Sequence, residues 1–248
     1  MKRILITNDD GIDAPGIKAL QQALAGLGEV FIVAPDREQS ASSHALTLKR
    51  PLRVVAKSER IISVDGTPTD AVHLAVNGLF RHIRFDLVVS GINAGGNMGD
   101  DITYSGTVSA AFESTLLGIP SFAISLDGRN GFVWESAAAY AQNVAKYILE
   151  HGLPPDVLLN INVPNLPLDK IKAHRLTKQG KRIYGDEIVE KSDPRGEKYF
   201  WIGGQDHGFK PIEGSDLQAV ADGEVSITPI KLDLTDYMQL EKLAGMKL

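Results

Sequence analysis

Two adjacent aspartates, Asp9 and Asp10, stand directly after the apolar run ILIT (4–7) and Asn8, with Gly11 next. Neighbouring strand side chains point to opposite faces. Beyond a strand end that alternation lapses, and Gly11 permits a sharp turn, so both carboxylates can face one crevice. Two such charges repel and desolvate badly unless a proton or a cation joins them. A divalent metal resolves the conflict. An isolated DD pair reads as one helix cap and one solvated acid; its place behind a buried strand favours metal binding instead.

Two further polar loops carry candidate chemistry. In SGINAGGNMGDDITYSGT (90–107), Asn93 and Asn97 offer an amide oxygen to a hard cation or N–H to a phosphate. Ser105, Gly106 and Thr107 open a helix, whose N-terminus favours an anion. Asp100 and Asp101 read as solvating charges ahead of a metal role. In DREQSASSH (36–44), Ser40, Ser42 and Ser43 are modest hydroxyl ligands that spacing does not distinguish. His44 reads first as a hydrogen-bonded loop residue and second as an acid–base group, and Asp206 with His207 as part of a turn. The donors are carboxylate, amide and hydroxyl oxygens, a set that suits Mg²⁺ or Mn²⁺ better than zinc. A cation beside a helix N-terminus points to phosphoryl chemistry. The glycine-rich loop has neither G-x-G-x-x-G nor G-K-[ST], which argues against a nicotinamide enzyme or a Walker ATPase.

The elements that must position these loops alternate. Strands are expected over 3–7, 29–34, 61–64, 85–90, 120–125 and 156–163, and helices from Pro15 to about Leu27, from Pro68 onward with Thr67 as N-cap, over 107–117 and over 133–150. This predicts an α/β fold with an open, mostly parallel sheet covered on both faces. Ligands then bind beyond the carboxyl ends of the strands, where strand order reverses. After about residue 165 the pattern changes to a long hairpin over 181–202 around SDPRGE, a short helix capped by Ser215, a strand VSITPI and a terminal helix over 235–246. The expectation is one α/β domain over 1–248, with a core of about 1–165 and an extension of about 166–248.

Bulk properties narrow the class. The chain has 248 residues, no cysteine and a formal net charge of -5. Thiolate metal sites, disulfides and a cysteine nucleophile are excluded. The acidic balance argues against a nucleic-acid polymer as partner, and no stretch predicts a membrane span. A cytoplasmic location is expected.

The motifs NDDGIDAPGI, VAPDREQSASSHALTL, GTPTDAV, VVSGINAGGNMGDDITYSGTVSAA and DLQAVADGEVSITPI together resemble the survival protein E (SurE) family of 5'/3'-nucleotidases, in order and over nearly the whole chain. The resemblance implies a divalent-metal-dependent nucleoside monophosphate phosphatase with a Rossmann-like three-layer core and an extension used in homodimers or homotetramers. It implies metal ligation by Asp9, Asp10, Ser40 and Asn93, and phosphate-side contacts by Asn97, Ser105, Gly106 and Thr107. Action on 3'-nucleotides and short polyphosphate is also implied. One departure is Ala71, where the family often carries cysteine. Asp9 and Asp10 are the expected catalytic pair, with water activated by the metal as the attacking group. The alternatives are Asp9 as a covalent nucleophile, which the missing D-x-D pattern disfavours, and a nucleotide sensor without turnover.

Overall fold

The computed structural model describes residues 1–185, 188–203 and 208–246. Its main sheet is built on β1 (Arg3–Thr7), β2 (Glu29–Pro35), β3 (Val54–Ser58), β4 (Ile61–Val64), β5 (Leu87–Ala94), β6 (Ser121–Asp127), β7 (Val157–Pro164), β8 (His174–Leu176) and β11 (Val225–Lys231). The strand order is β3-β4-β2-β1-β5-β6-β7-β11-β8. Pairing from β4 through to β7 is parallel, whereas β3 and β11 run antiparallel to β4 and β7. Strand order reverses between β1 and β5, which is the switch point expected to hold ligands.

Helices cover both faces, and β1 shows why. Ile4 and Ile6 pack with Ile17, Leu20 and Leu24 of α1 (Pro15–Leu24) and with Ala137 and Ala141 of α4 (Trp134–His151). Leu5, between them, faces Ala71 and Val72 of α2 (Pro68–Leu74) and Ala110 of α3 (Gly106–Leu116). The period-two alternation of a strand thus feeds two helical layers. All three β1 side chains are fully buried, each contributing roughly 1.5–3 kcal/mol of transfer free energy. Among the described residues, no helix is long and apolar enough to cross a membrane.

Several boundaries differ from the sequence reading. Helix α1 stops at Leu24 rather than near Leu27. Strand β5 runs through GINA to Ala94, because an irregularity between Gly91 and Asn93 keeps it paired to β6. Strand β3, VVAKS, is an addition to the expected strands; all its residues are exposed, and it has neither the apolar–polar alternation of a half-buried strand nor the longer apolar run of a buried one. The expected hairpin over 181–202 reaches beyond those bounds: β9 (Ile188–Ser192) and β10 (Lys198–Ile202) pair antiparallel as a separate two-stranded sheet, and residues 181–183 bond to 208–210 around an antiparallel Arg182–Phe209 bridge. Helix α5 (Asp216–Ala221) leads into β11, which inserts beside β7 in the main sheet, and α6 (Tyr237–Leu243) follows. Asp206 and His207 lie outside the described residues.

Candidate active site at the sheet's switch point

A cavity of ≈ 420 Å³ opens where β1 and β5 end; Asp9, Asp10, Ser40, Asn93, Asn97 and Ser105 all line it. Three loops meet there, and each is fixed by specific bonds. Gly11 adopts φ +100, and a Cβ on it would lie 3.2 Å from the Arg37 backbone carbon. The chain therefore turns sharply at Gly11 while the loop after β2 crosses above. The Gln39 N–H donates to the Asp9 carbonyl at 2.8 Å, which stitches that loop to the DD pair.

The serine loop is pinned along its length. The Ser43 N–H donates to the Tyr104 carbonyl at 3.1 Å. His44 Nε2 pairs with Glu113 Oε2 at 2.9 Å, and His73 Nδ1 of α2 pairs with the other Glu113 oxygen at 2.8 Å. The buried Glu113 carboxylate of α3 is held below the ordinary glutamate range by those two histidine bonds, against the opposing effect of burial. Thr67 and Asp70 form a capping box for α2, and both also hold the loop: the Thr67 hydroxyl donates to Ala45 and Asp70 accepts from Thr47. The GTPTD motif thus caps a helix and fastens the serine loop.

Asp9 is almost fully buried, and its Oδ1 accepts a short hydrogen bond from the Thr107 hydroxyl. Burial raises the Asp9 carboxyl from 3.8 to about 6; the Asp10 charge adds to this, and Thr107 opposes it. Burial also raises Asp10, whose Oδ2 accepts the Ala94 N–H at 3.0 Å. Asn93 donates its side-chain N–H to the Gly95 carbonyl at 2.8 Å, which leaves Oδ1 as the donor atom for a cation. The Ser40 hydroxyl donates to Glu38 at 2.6 Å, and Glu38 also lines the cavity. Sequence reasoning passed over Glu38 because nothing in DREQS separates it from a solvated charge.

Helix α3 presents its N-terminus to the cavity. Ser105 is its N-cap, accepting from the Val108 N–H at 3.0 Å. A Cβ on Gly106 would lie 2.9 Å from Asp9 Cβ and 2.8 Å from Ser42 Oγ, so only glycine fits between helix and acid. Thr107 is fully buried with its hydroxyl on Asp9, so here it orients the acid rather than facing the cavity. Asn97 is locked from behind: its side-chain N–H donates to Ser125, and its carbonyl accepts from Asn160 and Asn162. His44 faces Glu113 and is not among the cavity's lining residues.

Asp100 and Asp101 are not merely solvating charges. Asp100 accepts from Lys181 Nζ at 2.8 Å, and Asp101 accepts from Arg182 Nε and the Tyr184 hydroxyl, each at 2.7 Å. They fasten the segment after β8 to the glycine-rich loop. Beneath them the fully buried Asp216 accepts the N–H groups of Gly99, Gly180 and Leu217.

The donor chemistry fits a hard divalent cation. Two adjacent carboxylates with raised pKa values line one cavity, and Asn93 lines it too, with its amide N–H on Gly95 and its amide oxygen left for a cation. Among the described residues no group of three or more His, Cys, Asp or Glu could hold a metal; a cation here rests on two carboxylates and neutral oxygens.

Comparison with known proteins agrees with this architecture. The family model described as Survival protein SurE matches residues 4–186. The 5'-nucleotidase SurE of Geotalea uraniireducens is 54% identical, covering 97% of this chain and 97% of that protein. The 5'-nucleotidase SurE of Geobacter metallireducens is 55% identical, over 97% of this chain and 96% of its own. The crystal structure of the SurE protein from Aquifex aeolicus superposes with a TM-score of 0.87 at 44% identity, covering 97% of this chain and 98% of that one. With a family match across most of its length and relatives alike from end to end, this chain belongs to the SurE family.

Proposed function

We propose that this protein is a divalent-metal-dependent phosphomonoesterase that hydrolyses nucleoside monophosphates to nucleoside and phosphate. The observation that carries the reading is the adjacent carboxylates of buried Asp9 and half-buried Asp10, which line one cavity together with Ser105, the N-cap of α3. The relatives named 5'-nucleotidase support the substrate class. Asp9, Asp10, Asn93 Oδ1 and Ser40 Oγ hold the cation, Mg²⁺ or Mn²⁺ by their oxygen chemistry. When bound, it polarises a phosphoryl oxygen and makes water a better nucleophile. Ser105, Gly106 and Asn97 hold the phosphate at the positive end of α3. Thr107 keeps Asp9 aimed. Asp10, with Oδ2 on the Ala94 N–H, is placed to orient the attacking water with its other oxygen.

Two observations favour water over Asp9 as nucleophile. Asp9 is 5% exposed, and its Oδ1 is committed to Thr107. A sensor without turnover is disfavoured because a pure phosphate receptor gains nothing from two anions. Activity on 3'-nucleotides and short polyphosphate, and a cytoplasmic location, belong to the same proposal. So does a homodimer or homotetramer, supported by exposed apolar side chains on β10, among them Phe200, Trp201 and Ile202.

The test is Asp9→Asn, assayed for phosphate release and for Mn²⁺ binding by calorimetry. Loss of both with an unchanged circular dichroism spectrum is expected. Turnover at the wild-type rate in that variant overturns the assignment; a phospho-enzyme trapped on Asp9 overturns the water mechanism alone.

A further inference from the structure

The cavity has an aromatic wall that no phosphate or metal chemistry explains. Tyr104 is the one aromatic side chain among the described residues lining it, and it immediately precedes the N-cap Ser105. The residue is 58% exposed. A large ring left that open beside a ligand site has lost burial free energy relative to a core position. The backbone, by contrast, is fixed on both sides: the Tyr104 N–H donates to the Asp101 carbonyl at 3.0 Å, and its own carbonyl accepts from Ser43 at 3.1 Å. The ring is therefore presented on a rigid mount, next to the helix end that would hold the phosphate. Asp101, which lines the cavity too, accepts the hydroxyl of a second exposed tyrosine, Tyr184, from the segment after β8.

We propose that Tyr104 is the nucleobase platform of the site: its ring stacks on the base of a nucleoside monophosphate whose phosphate lies at α3. This deepens the phosphomonoesterase reading and rests on it. Stacking on a π-face is tolerant of base identity, so the contact separates nucleotides from sugar phosphates rather than one base from another. Tyr104 touches the substrate away from the reacting atoms and so determines specificity.

The test pairs two substrates that differ only in the base, adenosine 5'-monophosphate and ribose 5-phosphate, on wild type, Tyr104→Ala and Tyr104→Phe, with Mn²⁺ supplied. Tyr104→Ala is expected to lower kcat/KM for the nucleotide by about tenfold or more, chiefly through KM, and to leave ribose 5-phosphate unchanged. Tyr104→Phe keeps the ring and is expected to match wild type on both. Equal losses on the two substrates, or no loss on the nucleotide, overturn the proposal. Calorimetric binding of both compounds is the second readout. A wild type that binds the nucleotide more tightly than ribose 5-phosphate without hydrolysing either refutes the phosphomonoesterase reading, and the effect of Tyr104→Ala on that binding ratio still decides the stacking contact.

Discussion

Replacing Asp216 by asparagine probes the joint between the extension and the candidate site at nearly constant volume. The carboxylate is fully buried. Its Oδ1 accepts from the Gly180 and Leu217 N–H groups, and its Oδ2 from the Gly99 N–H, all at 2.8 Å. A carboxamide has one oxygen. Kept on Gly180 and Leu217, it turns an N–H₂ against the Gly99 N–H; turned round, it opposes two donors instead of one. One buried donor is left unsatisfied, at roughly 1–3 kcal/mol, and the two surviving bonds lose their charge assistance. The sum is about 2–4 kcal/mol of destabilisation, a large fraction of a domain's usual margin. Urea denaturation of wild type and Asp216→Asn at matched protein concentration measures it, with amide exchange at Gly99 and Gly180 reporting the location. Because Asn97 and Tyr104 sit on the same loop, kcat/KM for a nucleoside monophosphate is expected to fall as well. A denaturation midpoint equal to wild type, together with unchanged exchange at Gly99, refutes the idea that this carboxylate joins the two segments.

Two further outcomes follow from the site's packing and charge. Gly106→Ala places a Cβ 2.9 Å from Asp9 Cβ and 3.0 Å from Asp9 Oδ2; displacing the acid is expected to cut kcat/KM on the order of 10²-fold, and overpacking this buried turn is expected to lower the melting temperature, by about 1–3 kcal/mol of stability. In chelator, the folded-state pKa of Asp9 is raised from 3.8 to about 6, so its contribution to stability is fully present below 3.8 and lost as pH rises through about 6. Asp9→Asn removes that loss, so the variant should gain stability relative to wild type between pH 4 and 7 in urea melts; a difference that is flat or reversed in sign counters the burial argument.

Much of the core was readable locally. Runs such as ILIT and FDLVVS are continuous apolar stretches because parallel strands are buried on both faces, and the caps Thr67, Ser105 and Ser215 all hold helix N–H groups as their residue types require. Strand β3, at the sheet edge, is hidden because VVAKS is too short and carries no alternation, and an exposed strand imposes none. The extension was harder. Its β11 enters the main sheet by pairing with β7, a partner that local periodicity does not name.

The site divides along the same line. That two acids follow a buried strand, that Gly11 frees them from alternation, and that a capped helix opens at Ser105 can all be read from neighbouring residues. Each is a short-range property of chain stereochemistry. What those groups meet is set by the folded chain. It sets Thr107 on Asp9, closes Gly106 against the acid and ties Glu113 to two histidines. It also turns Asp100 and Asp101 from solvated charges into fasteners for the extension. These pairs lie as far apart in sequence as Gly99 and Asp216, separated by 117 positions. Contacts of that range are set by how helices and strands pack, and a local pattern carries no record of them.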